Sequence, residues 1–266
     1  TIKKIENAFV ENTTMTSEHI PISVSICSNV PDFKEEKYLL FVTKKNLVKQ
    51  TELKEFEVSR YTKTIRAISL NKNDEVVAVD ITDNKDAEIL ILSEKGEGLR
   101  FNLTEIPITS TTAKGVKGMN LSSKQHLATG IVLKDYNDAL LLTNRGTIKR
   151  IIISEIAKKR RTNKGVQLYK VIQSNPYLVQ DICLMNATQY KNRAQIRINT
   201  TETEVLVNAF DVKHDKSESG KTFITKEQGN SLFINIEEME EDPTITPLSE
   251  YVKEEDLEVI QQKLFD

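Results

Sequence analysis

Short apolar runs separated by polar turns recur along the chain at a fixed interval. The segment YLLFVTKKNLVKQTEL covers residues 38–53, EILILSEKGEGLRFNL covers 88–103, and ALLLTNRGTIKRIII covers 139–153. Their hydroxyls Thr43, Ser93 and Thr143 lie 50 residues apart. A second mark follows each, at Lys63-Thr64-Ile65, Lys114-Gly115-Val116 and Lys164-Gly165-Val166, spaced by 51 and 50 residues. Two independent marks with one period identify internal repeats. A worn fourth copy begins at AQIRINTTETEVLV (194–207) and resumes at Gly220-Lys221-Thr222-Phe223, behind the polar insert HDKSESG (214–220).

Each copy holds four short runs rich in Ile, Val and Leu, which read as strands. Glu94-Lys95-Gly96 and Asn144-Arg145-Gly146 read as hairpin turns, with Gly supplying a positive φ. Four strands per copy at this period predict an all-β, propeller-like array, in which neighbouring blades stack because no blade can bury both faces alone. The expected array spans 1–236, with a partial blade at 1–36 and blades near 37–86, 87–137, 138–193 and 194–236. The partial blade is read from HIPISVSICSN (19–29), which resembles the last strand of a copy. Residues 237–266 differ in kind: Leu248, Val252, Leu257, Ile260 and Leu264 recur near helical spacing and predict an acidic amphipathic tail.

Charge sharpens this picture. The net charge of −2 averages over a basic middle, +9 across residues 101–171, and an acidic end, −9 across 237–266. Such a basic middle is the footprint of a polyanion-binding surface. No apolar run reaches the roughly 18 residues of a membrane span, so no membrane partner is expected. Two cysteines, Cys27 and Cys183, build neither a disulfide framework nor a zinc site, which fits a reducing cytoplasm. No secretory leader is read at the start, and an opening Thr1 without Met reads as a piece of a longer polypeptide.

Catalytic constellations are not apparent. His19, His126 and His214 read as isolated polar histidines, and no metal is expected. The Gly-x-Gly of GEGLRF (96–101) has no third glycine and reads as a turn. The candidate binding residues are basic groups at matching places in successive copies. The first set is Lys44, Lys45, Lys49, Arg60, Lys63 and Arg66. The second is Lys95, Arg100, Lys114 and Lys117. The third is Arg145, Lys149, Arg150, Lys158, Lys159, Arg160, Arg161 and Lys164. Charges that recur with the blade would be laid out along a curved path, and a bent duplex presents phosphates along such a path. Few aromatics and no recognition helix argue against base reading.

The segments LLTNRGTIKRIIISEI (141–156), RRTNKGVQL (160–168), TAKGVKGMNL (112–121) and FVTKKNLVKQTELKEF (41–56) resemble the C-terminal domain of the A subunit of bacterial type IIA topoisomerases, DNA gyrase and topoisomerase IV. The resemblance covers 37–186 well and the remainder loosely. It implies a β-pinwheel whose blades exchange strands and whose rim binds and bends double-stranded DNA. It also implies that the cleaving tyrosine lies in another part of the A subunit, and that ATP hydrolysis belongs to the B subunit. No cofactor is therefore expected in this stretch, while ATP and Mg2+ serve the full enzyme. Expected partners are duplex DNA, the B subunit, and the rest of the A subunit, in the nucleoid-associated cytoplasm. None of the seven tyrosines lies in the family's cleavage motif. The Gln-Arg-Arg-Gly-Gly-Lys-Gly box of gyrase is not found. Glu57–Lys63 keeps only Arg60 and Lys63 of it, and Arg160–Gly165 is closer but imperfect. That departure favours the topoisomerase IV branch over the gyrase wrapping domain. A protein-binding propeller scaffold is the reading from a different class; it predicts an apolar docking patch and no affinity for DNA.

Overall fold

The computed structural model describes residues 36–57, 66–122, 124–134, 138–169, 177–214 and 220–237. The predicted partial blade, the acidic helical tail, Arg60 and Lys63 lie outside the described residues, Glu36 and Glu237 excepted. The first copy forms β1 (Tyr38–Thr43), β2 (Leu47–Glu52) and β3 (Val76–Thr82). The second forms β4 (Glu88–Ser93), β5 (Glu97–Asn102), β6 (Val116–Lys117) and β7 (Leu127–Leu133). The third forms β8 (Asp138–Thr143), β9 (Thr147–Ile152), β10 (Val166–Gln167) and β11 (Val179–Met185), followed by the one-turn helix α1 (Ala187–Lys191). The fourth forms β12 (Gln195–Thr200), β13 (Glu204–Asn208), β14 (Lys221–Thr222) and β15 (Ser231–Glu237).

The sheets do not coincide with the copies. Strand orders are β3-β1-β2-β6, β10-β5-β4-β7, β11-β8-β9-β14 and β13-β12-β15. Each of the first three sheets therefore takes its outer strand from the next copy. β3, β7, β11 and β15 pack successively on one another and form the inner edge of the array. The short strands β6, β10 and β14 lie at the opposite edge, the rim. The result is an all-β pinwheel of four blades.

The recurring sequence marks have local physical causes. Thr43, Ser93 and Thr143 each open a four-residue turn closed by a backbone bond from Asn46, Gly96 or Gly146 at 3.0, 2.9 and 3.0 Å. Their hydroxyl oxygens accept the amides of Leu47, Glu97 and Thr147 at 3.1, 3.0 and 3.1 Å. The fourth residue of the turn is left-handed, with φ of 70° at Asn46, 81° at Gly96 and 70° at Gly146, a region that Gly and Asn enter at least cost. The glycine before each outer strand serves close approach. A Cβ on Gly115, Gly165 or Gly220 would lie 2.6, 2.8 or 2.5 Å from the carbonyl oxygen of Val48, Gly98 or Ile148.

The cores lie between blades. Leu40, Val42 and Val48 pack on Ile89, Ile91 and Phe101. Leu90 and Leu92 face the other way, onto Ala139, Leu141 and Ile151. Leu140, Leu142 and Ile148 then meet Ile196, Ile198 and Val207. β4 and β8 are buried on both faces, which is why they read as unbroken apolar runs. β12, QIRINT, alternates instead. Ile196 and Ile198 face the third blade, while Arg197 on the far face is bonded to Glu204 and Glu237. The same far face also exposes Leu206, opposite Arg197, and Phe233, opposite Asn199, so it mixes charge with apolar surface.

Candidate nucleic-acid interface

The described cations fall into two groups. One group is consumed inside the fold. Lys49 is fully buried, and its ammonium donates to the carbonyls of Ala67 (2.5 Å) and Thr111 (3.0 Å) while standing 5.5 Å from the Phe41 ring centre. Burial pushes its pKa down. Lys149, its counterpart two copies on, donates to the Leu168 carbonyl at 2.6 Å. Arg100 and Arg150 occupy equivalent places, opposite Leu90 and Leu140. Arg100 pairs with Glu88 and donates to the carbonyls of Ile153 and Ile156 at 2.9 and 3.2 Å, tying the second blade to the third. Glu88 also receives Lys158 at 2.9 Å. Burial works against the Glu88 carboxylate, yet the hydrogen bonds from Lys158 and Arg100 together hold its pKa below the ordinary range.

Arg150 belongs to the most enclosed ion pair among the described residues. It donates twice to Asp138, at 2.9 and 2.6 Å, with side-chain exposures of 14% and 6%. Its guanidinium lies 3.8 Å from the Tyr190 ring centre, and Tyr190 stacks on Phe210 at 5.5 Å. Arg161 donates its Nε–H to the Glu105 carbonyl at 2.8 Å and its Nη1–H to the Lys117 carbonyl at 2.5 Å. Lys49, Lys149, Arg100, Arg150 and Arg161 were expected on a phosphate track. Instead they bond carbonyls or carboxylates between blades: Lys49, Lys149, Arg100 and Arg150 stand on strands that face a neighbouring blade, and Arg161 stands in a loop docked on the second copy.

The second group is presented outward. Lys45, Lys95 and Arg145 project from equivalent turns and are exposed. Lys45 reaches the Lys72 carbonyl at 2.5 Å, and Lys44 beside it pairs with Glu75. Arg66, Lys114, Lys117, Arg160 and Lys164 are exposed, with Lys114 reaching the Asn71 amide oxygen at 3.1 Å. Lys158 and Lys159 are partly engaged, the former by Glu88 and the latter by the Lys164 carbonyl at 3.3 Å.

Outward cations from different copies are brought together by backbone contacts. The loop carrying Arg160 and Lys164 is docked against the segment carrying Lys117. Thr162 donates to Gly118, and Asn120 to Asn163, each at 2.9 Å, beside the Arg161–Lys117 bond. The amide of Lys159 donates to the Arg100 carbonyl at 2.9 Å. Lys114 and Lys117 of the second copy and Arg160 and Lys164 of the third are therefore exposed side chains on segments that dock on one another. Two further exposed lysines, Lys213 and Lys221, border a rim groove of about 290 Å3 beside Lys149 and Gly220. The repeat pattern alone passes over them. The signal for Lys221 was Gly220, which stands where Gly115 and Gly165 stand in the earlier copies.

No group of three metal-ligating side chains occurs among the described residues. His126 and His214 lie 3.7 and 3.6 Å from Glu94 and Glu155, as ordinary surface pairs. No helix among the described residues is long and apolar enough to cross a membrane.

Residues 37–83, 87–134 and 137–171 match a family profile described as the DNA gyrase C-terminal domain, beta-propeller. The chain belongs to this family. It is 32% identical over 199 residues to the A subunit of DNA topoisomerase 4 from Bacillus subtilis (strain 168), covering 72% of this chain and 25% of that protein. The chain thus spans about a quarter of that relative's length. Among solved structures, the crystal structure of the C-terminal domain of DNA topoisomerase IV superposes with a TM-score of 0.69 at 27% identity, covering 78% of this chain and 64% of that one. The DNA gyrase A C-terminal domain superposes with a TM-score of 0.71 at 20% identity, covering 86% and 74%, a likeness of fold.

Proposed function

We propose that this chain binds and bends duplex DNA as the C-terminal domain of a topoisomerase IV A subunit. The observation that supports the reading is the docking of the Arg160–Lys164 loop on the Lys117 segment, which holds together segments of successive copies that carry exposed cations. A curved cationic edge lowers the repulsion between phosphates on the inside of a bend and gains affinity by releasing counterions, without reading bases. Within the full enzyme the domain would steer duplex DNA for ATP-dependent strand passage, working with the B subunit, and with the rest of the A subunit. ATP and Mg2+ act elsewhere in that assembly, as does DNA cleavage. The setting is the bacterial cytoplasm, at the nucleoid.

The test is a salt titration of binding to relaxed and supercoiled circles, paired with ring-closure rates of short linear duplexes. The reading requires a steep loss of affinity with salt, by about 0.9 log units per log unit of salt for each neutralised phosphate, and faster ring closure in the protein's presence. Salt-insensitive binding, or no effect on ring closure, would refute it. Chiral wrapping, the gyrase alternative, would appear as a linking-number change of one sign when bound circles are relaxed.

A further inference from the structure

The three hairpin turns at the ends of the sheets are sealed differently. At the β1–β2 turn, the Asn46 amide donates to the Met119 carbonyl at 2.7 Å and accepts the Met119 N–H at 2.9 Å. At the β4–β5 turn, the Gln167 amide donates to the Lys95 carbonyl at 2.7 Å and to the Tyr169 carbonyl. The β8–β9 turn has neither seal. Gly146 replaces Asn46, and Thr222 stands in the register position of Gln167, opposite Thr147. The short Thr222 side chain meets the Thr147 hydroxyl at 3.2 Å instead of spanning the turn. Beside this turn lies an open cavity of about 650 Å3.

The cavity is lined by two cations, Arg145 and Lys226, and by Tyr177, Thr222, Ile224, Thr225, Gly229 and Asn230. No Asp or Glu is among its described lining residues. The Arg145 guanidinium sits 4.9 Å from the Tyr177 ring centre. That contact limits the rotamers of a lining arginine whose guanidinium carries a planar fork of donors. Lys226 stands on the short 3-10 turn Lys226–Gln228, which comes from the fourth copy, so the two cations are set by different copies. A planar fork, a second point charge and neutral hydroxyl and amide donors around one volume suit a group with several anionic oxygens on one centre.

We propose that this cavity is a binding site for a phosphate ester. It accepts either a free nucleotide, whose base can lie along the exposed edge of Tyr177, or a backbone phosphate of a duplex leaving the rim. With a free nucleotide as occupant the proposal stands apart from the rim, and with a duplex phosphate it rests on the proposed DNA binding.

The experiment is isothermal titration of the 266-residue chain with adenosine monophosphate and with pyrophosphate at low salt. Three proteins are compared: the unaltered chain, Arg145→Gln/Lys226→Gln, and the rim control Lys114→Gln/Lys164→Gln. All four altered side chains are exposed, so circular dichroism and melting temperature are expected to be unchanged. The expected result is saturable binding that weakens by roughly tenfold or more in the cavity variant, the loss of charged hydrogen bonds, and persists in the rim control. No saturable binding by the unaltered chain, or equal losses in both variants, overturns the proposal. Competition separates the sources. Duplex affinity that is indifferent to saturating adenosine monophosphate assigns the site to a free nucleotide. Displacement of duplex by the nucleotide, together with a shallower salt slope in the cavity variant, assigns it to the DNA backbone. Duplex binding that survives an empty cavity leaves the reading of the rim intact.

Discussion

Asp181 offers the sharpest test of how the blades are held together at the inner edge. It lies on β11 of the third blade, yet its carboxylate accepts the Ile234 amide of the fourth blade at 3.0 Å and the Thr129 hydroxyl of the second at 3.4 Å. Burial among these strands raises its pKa from 3.8 to about 6, against the opposing pull of the bonds from Ile234, Ile182 and Thr129. A carboxyl whose pKa is raised on folding favours the folded state most when protonated. Its contribution is fully present below the unfolded value near 4 and is lost as pH rises through about 6. Between pH 5 and pH 8 that loss comes to about 1.4 kcal/mol. The perturbation is Asp181→Asn, which cannot ionise. The assay is urea unfolding followed by circular dichroism across that range, for both proteins. The stability of the unaltered chain should fall by about 1.4 kcal/mol more than that of the variant, whatever the histidines contribute to both. Absolute stability of the variant is a poorer readout, because Asn can keep its oxygen on the Ile234 amide only by turning its NH2 toward the Thr129 hydroxyl. Parallel pH profiles for the two proteins would refute the placement of an ionisable carboxyl at the junction of three blades.

Other outcomes follow from the division between inward and outward cations. Lys49→Met keeps the volume but strands the Ala67 and Thr111 carbonyls, and should destabilise by about 1–3 kcal/mol while leaving the salt slope of DNA binding unchanged. Arg160→Gln with Lys164→Gln should do the reverse, lowering the slope by about 2 with no change in melting temperature. Arg161→Gln, which releases the Glu105 and Lys117 carbonyls, should lower the melting temperature and weaken DNA binding only through loosening of the loop. Gly146→Ala forces a Cβ to within 2.0 Å of the Ile224 Cγ1 at a φ of 70°, and a drop in urea midpoint corresponding to about 1–3 kcal/mol is expected.

Much of the fold was legible because each mark in the sequence has a local cause. Thr43, Ser93 and Thr143 recur because the same turn needs the same side-chain acceptor, and the glycine before each outer strand recurs because the backbone of the previous sheet leaves no room for a Cβ. Strand exchange was not legible in the residues themselves. Val116 and Lys117 belong to the second copy by period and to the first sheet by hydrogen bonding, and nothing in a two-residue strand declares its partner. The chemical site was legible only in part, for a related reason. A lysine in a repeat looks the same whether it lies on β2 or in a loop, but its place decides its fate. Lys49, Arg100, Lys149 and Arg150 lie on strands that stack between blades, where an unpaired charge is too costly to keep, so each has acquired carbonyl or carboxylate partners. Lys114, Lys117, Arg160 and Lys164 lie in outer strands and the loops that lead to them, with water on one side. The excess of +9 over residues 101–171 therefore overstates the field at the rim, since Lys149, Arg150 and Arg161 are spent on architecture. The same rule recovers what the count missed: Lys213 and Lys221 sit where loop and outer-strand positions fall in the worn fourth copy, and both are exposed.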